Sequence, residues 1–174
     1  MDITAYPTYQ TGNNEFSFCS VGDQGVIELR MRITLMDAET RFYNVGFGVW
    51  DAWKRDINDK ATIRNGDTDR ILATVGQKAL GFLKQNPRAN IAATGSVLPG
   101  ELALRTRKYQ MGINTYYNEL SEFCNIYGFK ANKLDGLIMG DWPNWDGDRV
   151  RFEQGTNYDA FLLNLKDHLY VGLR

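Results

Sequence analysis

One histidine, two cysteines and no apolar run longer than a few residues stand in a chain of 174 residues, and each scarcity closes off a class of function. With His168 as the sole histidine, zinc sites that need two or more histidines are excluded, and a Ser-His-Asp triad would rest on one residue near the C-terminus. Cys19 and Cys124 are too few and too far apart for a disulfide framework. Both are expected as reduced, buried thiols, and with no signal-like apolar opening the chain is expected in the cytoplasm. A bilayer-spanning helix needs roughly 20 apolar residues, so membrane insertion is excluded. No Gly-rich phosphate loop of the Walker or dinucleotide type occurs, and no cofactor is expected. The formal net charge of −1, from 20 basic and 21 acidic residues, gives no general grip on nucleic acid, so any such grip must be local.

What is present fits one globular domain. Hydrophobic residues make up 43% and charged residues 24%, near globular averages, and the length suffices to bury a core without metal or disulfide staples. After an irregular or extended lead-in over residues 1–14, residues 15–21 and 26–33 alternate polar and apolar around Gly22-Asp23-Gln24-Gly25, which predicts a β-hairpin. Residues 41–50 form a third, aromatic-rich strand in which Gly46 and Gly48 share a face, marking either a bulge or a close approach. Residues 51–66 read as a loop. Asp67 then looks like an N-cap, and Ile71, Leu72, Val75, Ala79, Phe82 and Leu83 recur at helical spacing up to Pro87. Gly76 and Gly81 inside this helix are expected to permit close packing on the sheet. Residues 90–94 give a strand in the same sheet, 134–139 a short strand, and 150–153 and 158–165 strand-like segments, the last with a helical alternative at 162–165. The expected architecture is therefore α+β, a single domain over 1–174. An antiparallel N-terminal meander is extended by later strands, and two main helices pack on one face.

The chemistry concentrates in residues 91–123. A strand ending Ala93-Thr94-Gly95-Ser96 runs through a Pro-Gly break into a helix carrying Arg105, Arg107, Lys108 and Tyr109. Free N–H groups at a helix start favour an anion, and guanidinium forks suit phosphate or carboxylate. The same Thr, Gly and Ser are also ordinary turn and capping chemistry. At about 100° per residue, Leu102, Tyr109, Ile113, Tyr116, Leu120 and Phe123 fall in one stripe. Arg105 lies at its edge and Arg107 outside it, which predicts different roles for the two.

Charge is expected to be polarised. Residues 101–110 carry three basic side chains against one acidic, and 135–148 carry four aspartates and no basic residue. In the latter stretch Asn144, Asp146, Gly147 and Glu153 fall at positions of a calcium-loop template, but Trp142 stands where its first carboxylate belongs, so the EF-hand match fails. A loose cation site on Asp141, Asp146 and Asp148 is a weaker expectation. Trp142 and Trp145 either form a recognition surface or fold back over the sheet.

Tyr43-Asn44-Val45-Gly46-Phe47-Gly48, Asn65-Gly66-Asp67, Ile71 to Val75, Pro87, Ala93-Thr94-Gly95-Ser96, Arg105-Thr106-Arg107-Lys108-Tyr109 and Tyr158-Asp159-Ala160-Phe161-Leu162, in that order and spacing, carry a resemblance. Over about residues 40–165 the chain resembles a family of small bacterial proteins of unknown function, frequent in Bacteroidetes. The resemblance implies fold unity and lends no catalytic residues. Leu98 to Leu104 and the Trp-rich loop depart from its pattern.

Three functions follow as expectations. The first is a cytosolic binding protein, of a phage-defence or toxin–antitoxin type, that engages RNA, single-stranded DNA or a nucleotide through Arg105, Arg107, Lys108 and Tyr109, with Gly95 and Ser96 as companions. The second is a small nuclease or nucleotide-processing enzyme with Tyr109 or Asp67 handling a proton. The third is an inhibitor or antitoxin module that meets a protein partner through Trp142 and Trp145. Oligomeric state is not fixed by the sequence.

Overall fold

The computed structural model describes residues 4–58, 61, 63–95 and 104–166, with Leu104 and Arg105 described in backbone only. Ser96 and His168 lie outside the described residues. Chain order is β1 (Tyr9–Gly12), β2 (Glu15–Gly22), β3 (Gly25–Asp37), β4 (Phe42–Asp51), β5 (Asp56–Asn58), α1 (Thr68–Gln85), β6 (Asn90–Ala93), α2 (Leu104–Thr115), α3 (Tyr117–Phe123), β7 (Cys124–Ala131), β8 (Lys133–Leu134), β9 (Leu137–Ile138), β10 (Gly147–Arg151) and β11 (Ala160–Leu165).

All strands but β8 and β9 form one mixed sheet in the order β1-β2-β3-β4-β6-β11-β7-β10, with β5 folded back on the end of β4. Strands β2 to β4 are the expected antiparallel meander, and β1, from the lead-in, adds a fourth strand antiparallel to β2. Helix α1 then carries the chain over to β6, which lies parallel to β4. Strand β11 is antiparallel to both β6 and β7 and sits between them. The fold is α+β.

Side-chain alternation gives the sheet two unlike faces. On one, Phe18, Leu29, Met31, Ile33, Val45, Phe47, Ile126, Phe161 and Leu165 are buried beneath the helices. Phe82 of α1 meets Tyr43 edge-on at 4.8 Å, and Tyr109 of α2 meets Phe47 likewise at 5.7 Å. On the other face lie Glu15, Arg30, Arg32, Asn44, Tyr127, Phe129, Arg149 and Arg151, as their pairing registers require. The ring contacts of α1 and α2 with the sheet fall on the first face. Cys19 belongs to the other, open face and is exposed, which corrects the expectation of two buried thiols; burial pushes the Cys124 thiol up to about 11.

The helices depart from expectation in three places. Asp67 occupies the N-cap position of α1 but makes no side-chain cap; one oxygen of its carboxylate accepts from Tyr6 and Ser20 instead. The second helix is broken at Tyr116 into α2 and α3, where Thr115 Oγ1 donates back to the Met111 carbonyl at 2.8 Å, a bond that bends helices. A Cβ added at Gly76 or Gly81 would meet nothing within 4 Å, so neither glycine serves close packing on the sheet.

The strands add three corrections. The segment 134–139 is the hairpin β8–β9, turned by Asp135-Gly136 at φ 53 and 78, the signature of a type I′ turn. No bulge occurs at Gly46 or Gly48; the β3–β4 register shifts farther along, between Leu35 and Asp37. Residues 162–165 are strand, as the first reading of 158–165 has them. Strand β7, central to the second half of the sheet, was not expected. Its Gly128 is required, since a Cβ there would lie 2.2 Å from the Tyr158 ring.

Two glycine substitutions should therefore behave oppositely in urea denaturation. Gly128→Ala drives a methyl into a buried ring and should cost about 3 kcal/mol or more, whereas Gly81→Ala should gain up to about 1 kcal/mol through helix propensity. Equal effects at the two positions contradict this packing.

Candidate functional site

Three sequence motifs converge at the start of α2. The Gly95 N–H donates to Thr106 Oγ1 at 2.9 Å, and Thr94 Oγ1 donates to the Asp159 carbonyl at 2.7 Å. The Arg107 guanidinium donates to the Tyr158 carbonyl at 2.8 Å and to Gln110 Oε1. Gln110 in turn accepts the Tyr158 N–H at 3.2 Å and donates to Asn157 at 2.9 Å. Of the expected set, Gly95 and Arg107 are thus brought near each other through Thr106, but the polar groups of all three are bonded within the chain.

The remaining members of the sequence-derived set are dispersed. Lys108 Nζ lies 3.3 Å from Thr68 Oγ1 on α1. Tyr109 is buried at 8% exposure and offers no face for stacking a base. Arg105 is the second residue of α2, and its side chain, like Ser96, lies outside the description. Asp67, the candidate proton-handling carboxylate, accepts Tyr6 Oη at 2.7 Å and Ser20 Oγ at 2.6 Å on one oxygen, while its other oxygen is buried without a partner. Ser20 is fully buried and also accepts from Asn65, so this cluster clasps the N-terminal segment, β2 and α1 together.

The Trp-rich loop folds back over the sheet. Trp142 Nε1 donates to Asn44 Oδ1 of β4 at 2.9 Å, and the ring lies 6.1 Å from Phe42. Trp145 packs edge-on to Trp142 at 4.6 Å and reaches Phe129 of β7 at 6.4 Å. Asp146 accepts from Asn132, and among the described residues no group of three His, Cys, Asp or Glu is placed to hold a metal ion.

The loop extends a band along the open face that sequence reasoning missed. Arg149 and Arg151 project two residues apart from β10, both exposed, with their guanidinium carbons 5.0 and 5.6 Å from the Tyr127 ring centre. Tyr127 and Phe129 are next-but-one neighbours on β7, and the aromatic row continues through Trp145 and Trp142 to Phe42. Among the described residues no carboxylate pairs with either arginine. Across the face, Arg30 stacks 3.5 Å over Trp50, and Glu15 takes Arg32 at 2.9 Å and Arg30 at 3.3 Å. Burial pushes the Glu15 carboxyl up, but hydrogen bonds from Arg32, Thr11 and Arg30 outweigh it and hold the group below its ordinary value. Between these ends, Asn125 donates to Asn164, Asn164 to Asn90, and Asn90 to the Thr40 carbonyl, at 2.9, 2.9 and 3.0 Å. The alternation Tyr127-x-Phe129 and Arg149-x-Arg151 was the available signal, hidden because β7 follows a helix with no intervening loop.

The family described as "Family of unknown function (DUF6934)" matches residues 2–166. Comparison with curated proteins and with solved structures gave no match.

Two outcomes test this geometry. Arg107→Ala should lower stability by about 2–3 kcal/mol, and Arg107→Lys should restore less than half of that, because a point charge cannot span the Tyr158 carbonyl and Gln110. Full rescue by lysine in thermal melts contradicts the fork. Glu15, held low in the folded state, stabilises above its ordinary pKa and loses that contribution as acid protonates it. From roughly pH 5 to pH 3 the wild-type melting temperature should therefore fall more steeply than that of Glu15→Gln.

Proposed function

The chain belongs to the DUF6934 family, a family of unknown function, and from its own geometry we propose that it is a non-enzymatic binding protein for single-stranded nucleic acid. The interface is the open face of the sheet at β7 and β10, in place of the α2 start. One observation carries the reading: two exposed arginines without a carboxylate partner among the described residues flank Tyr127, on the same strand face as the aromatic row that runs from Phe129 through Trp145 and Trp142. Single strands are held by such a combination, since every base has a face to stack and every linkage a phosphate for a guanidinium. A net charge near zero fits a short, local site better than a long electrostatic track.

This reading keeps the chemistry that the sequence suggested and moves it to the other side of the sheet. The described basic and aromatic side chains of α2 are engaged: Arg107 holds backbone, Lys108 meets Thr68, and Tyr109 is core. The same engagement argues against the nuclease reading, because Tyr109 and Asp67 are both committed to packing and to the clasp.

Fluorescence anisotropy with labelled oligo-U and oligo-dT of about 15 nucleotides at low salt tests it. The double variant Arg149→Ala/Arg151→Ala should weaken binding at least about tenfold and flatten the salt dependence by about one to two phosphates. Tyr127→Ala should cost about 1–3 kcal/mol of binding, and the oligonucleotide should be recovered uncut. Absence of wild-type binding refutes the reading, and weakening by Arg105→Ala with Arg149 and Arg151 indifferent returns the interface to α2.

A further inference from the structure

Behind the sheet, on the helix side, the core is not closed. A cavity of about 120 Å³ lies between α1, α2 and the strands β4, β6 and β11, walled by Leu72, Val75 and Gly76 from one helix, Gly112 and Ile113 from the other, and Leu163 from the sheet. Its wall is almost wholly carbon. The pocket is open on one side, and an apolar wall left facing solvent is unfavourable until something apolar covers it. Water that enters it finds almost no polar partner on this wall.

The glycines show how the space is kept. Glycine in the middle of a helix is unfavourable relative to alanine, and a compensating close approach would normally account for it. At Gly76 there is none, since an added Cβ meets nothing within 4 Å. That vacant volume belongs to the cavity wall. Opposite it, a Cβ at Gly112 would come into ordinary contact with Leu72 Cδ1 at 3.7 Å, so this position too faces the space with no bulk of its own.

We infer that this cavity is a binding site for one small, neutral, apolar molecule of about a single ring's size, a monocyclic arene or a compact branched hydrocarbon. The size is of the right order, since an enclosed apolar cavity of roughly 150 Å³ takes up benzene. The lining offers no counter-charge and so selects against ions and zwitterions. The site is independent of the nucleic-acid reading, because it lies on the opposite face of the sheet and shares no residue with the aromatic band.

Toluene serves as the probe, followed by methyl-resolved NMR on the full chain. Saturable shifts are expected at the methyls of Leu72, Val75, Ile113 and Leu163, with only weak linear drift at the exposed Leu134 and Leu137. Gly76→Ala should raise the melting temperature and weaken toluene at least threefold. Gly81→Ala, whose added methyl also meets nothing but which does not line the cavity, should raise the melting temperature and leave toluene affinity unchanged. Gly112→Ala narrows the same space from the other helix and should also weaken toluene. Uniform, non-saturable shifts, or wild-type affinity in both Gly76→Ala and Gly112→Ala, overturn the inference. Since oligonucleotide anisotropy is measured separately, failure here and failure of the open-face reading are told apart.

Discussion

The contact of Tyr158 with Gly128 is the constraint from which the second half of the molecule takes its shape. The ring lies where any other residue of β7 would carry a side chain, and it touches Phe152 and Phe161 at centroid distances of 5.3 and 6.2 Å. Its main chain is gripped by Arg107 and Gln110, and its hydroxyl accepts the Glu153 N–H at 2.9 Å. One residue thereby fixes the entry to β11, the exit from β10 and the first turns of α2. Buried polar groups in such a network are costly to leave unpaired, so its members stand or fall together.

A second such node holds the first half. Asp67, Ser20, Asn65 and Tyr6 tie the β2–β3 hairpin and the N-terminal segment to the start of α1. Between the two nodes the sheet is dry toward the helices and polar on its other face. That asymmetry lets one set of strands support two unrelated surfaces: an apolar interior with space in it, and an outer band of rings, amides and guanidinium groups.

Much of this was legible where local pattern and tertiary demand agree. The β2–β3 hairpin follows from alternation around Asp23-Gln24, and α1 from its apolar spacing and the stop at Pro87. The wheel separated Arg107 from the core-facing stripe, and the structure turns it to the Tyr158 main chain. What stayed illegible depends on distant partners. Gly128 carries no signal of its own until Tyr158, thirty positions later, is seen to need its space. Trp142 reads as either exposed or folded back until Asn44 is found to accept its N–H across 98 residues of sequence. The arginines of β10 become a surface only when β7, unsignalled between α3 and its turn, is laid beside them.

The place of β11 has a consequence for how the chain acquires this shape. The meander β1 to β4 pairs neighbours in sequence and can form as it is synthesised. Strands β6 and β7 have no such freedom, because the strand that joins them is made after residue 160 and pairs with β6 across some 70 residues, as in Phe161 with Ala93. Until then each presents an unpaired edge to its surroundings, and the closing of long loops makes the final step slow. On the ribosome the molecule is thus half a sheet waiting for its last piece, and that interval is when misassembly or chaperone capture would act on it.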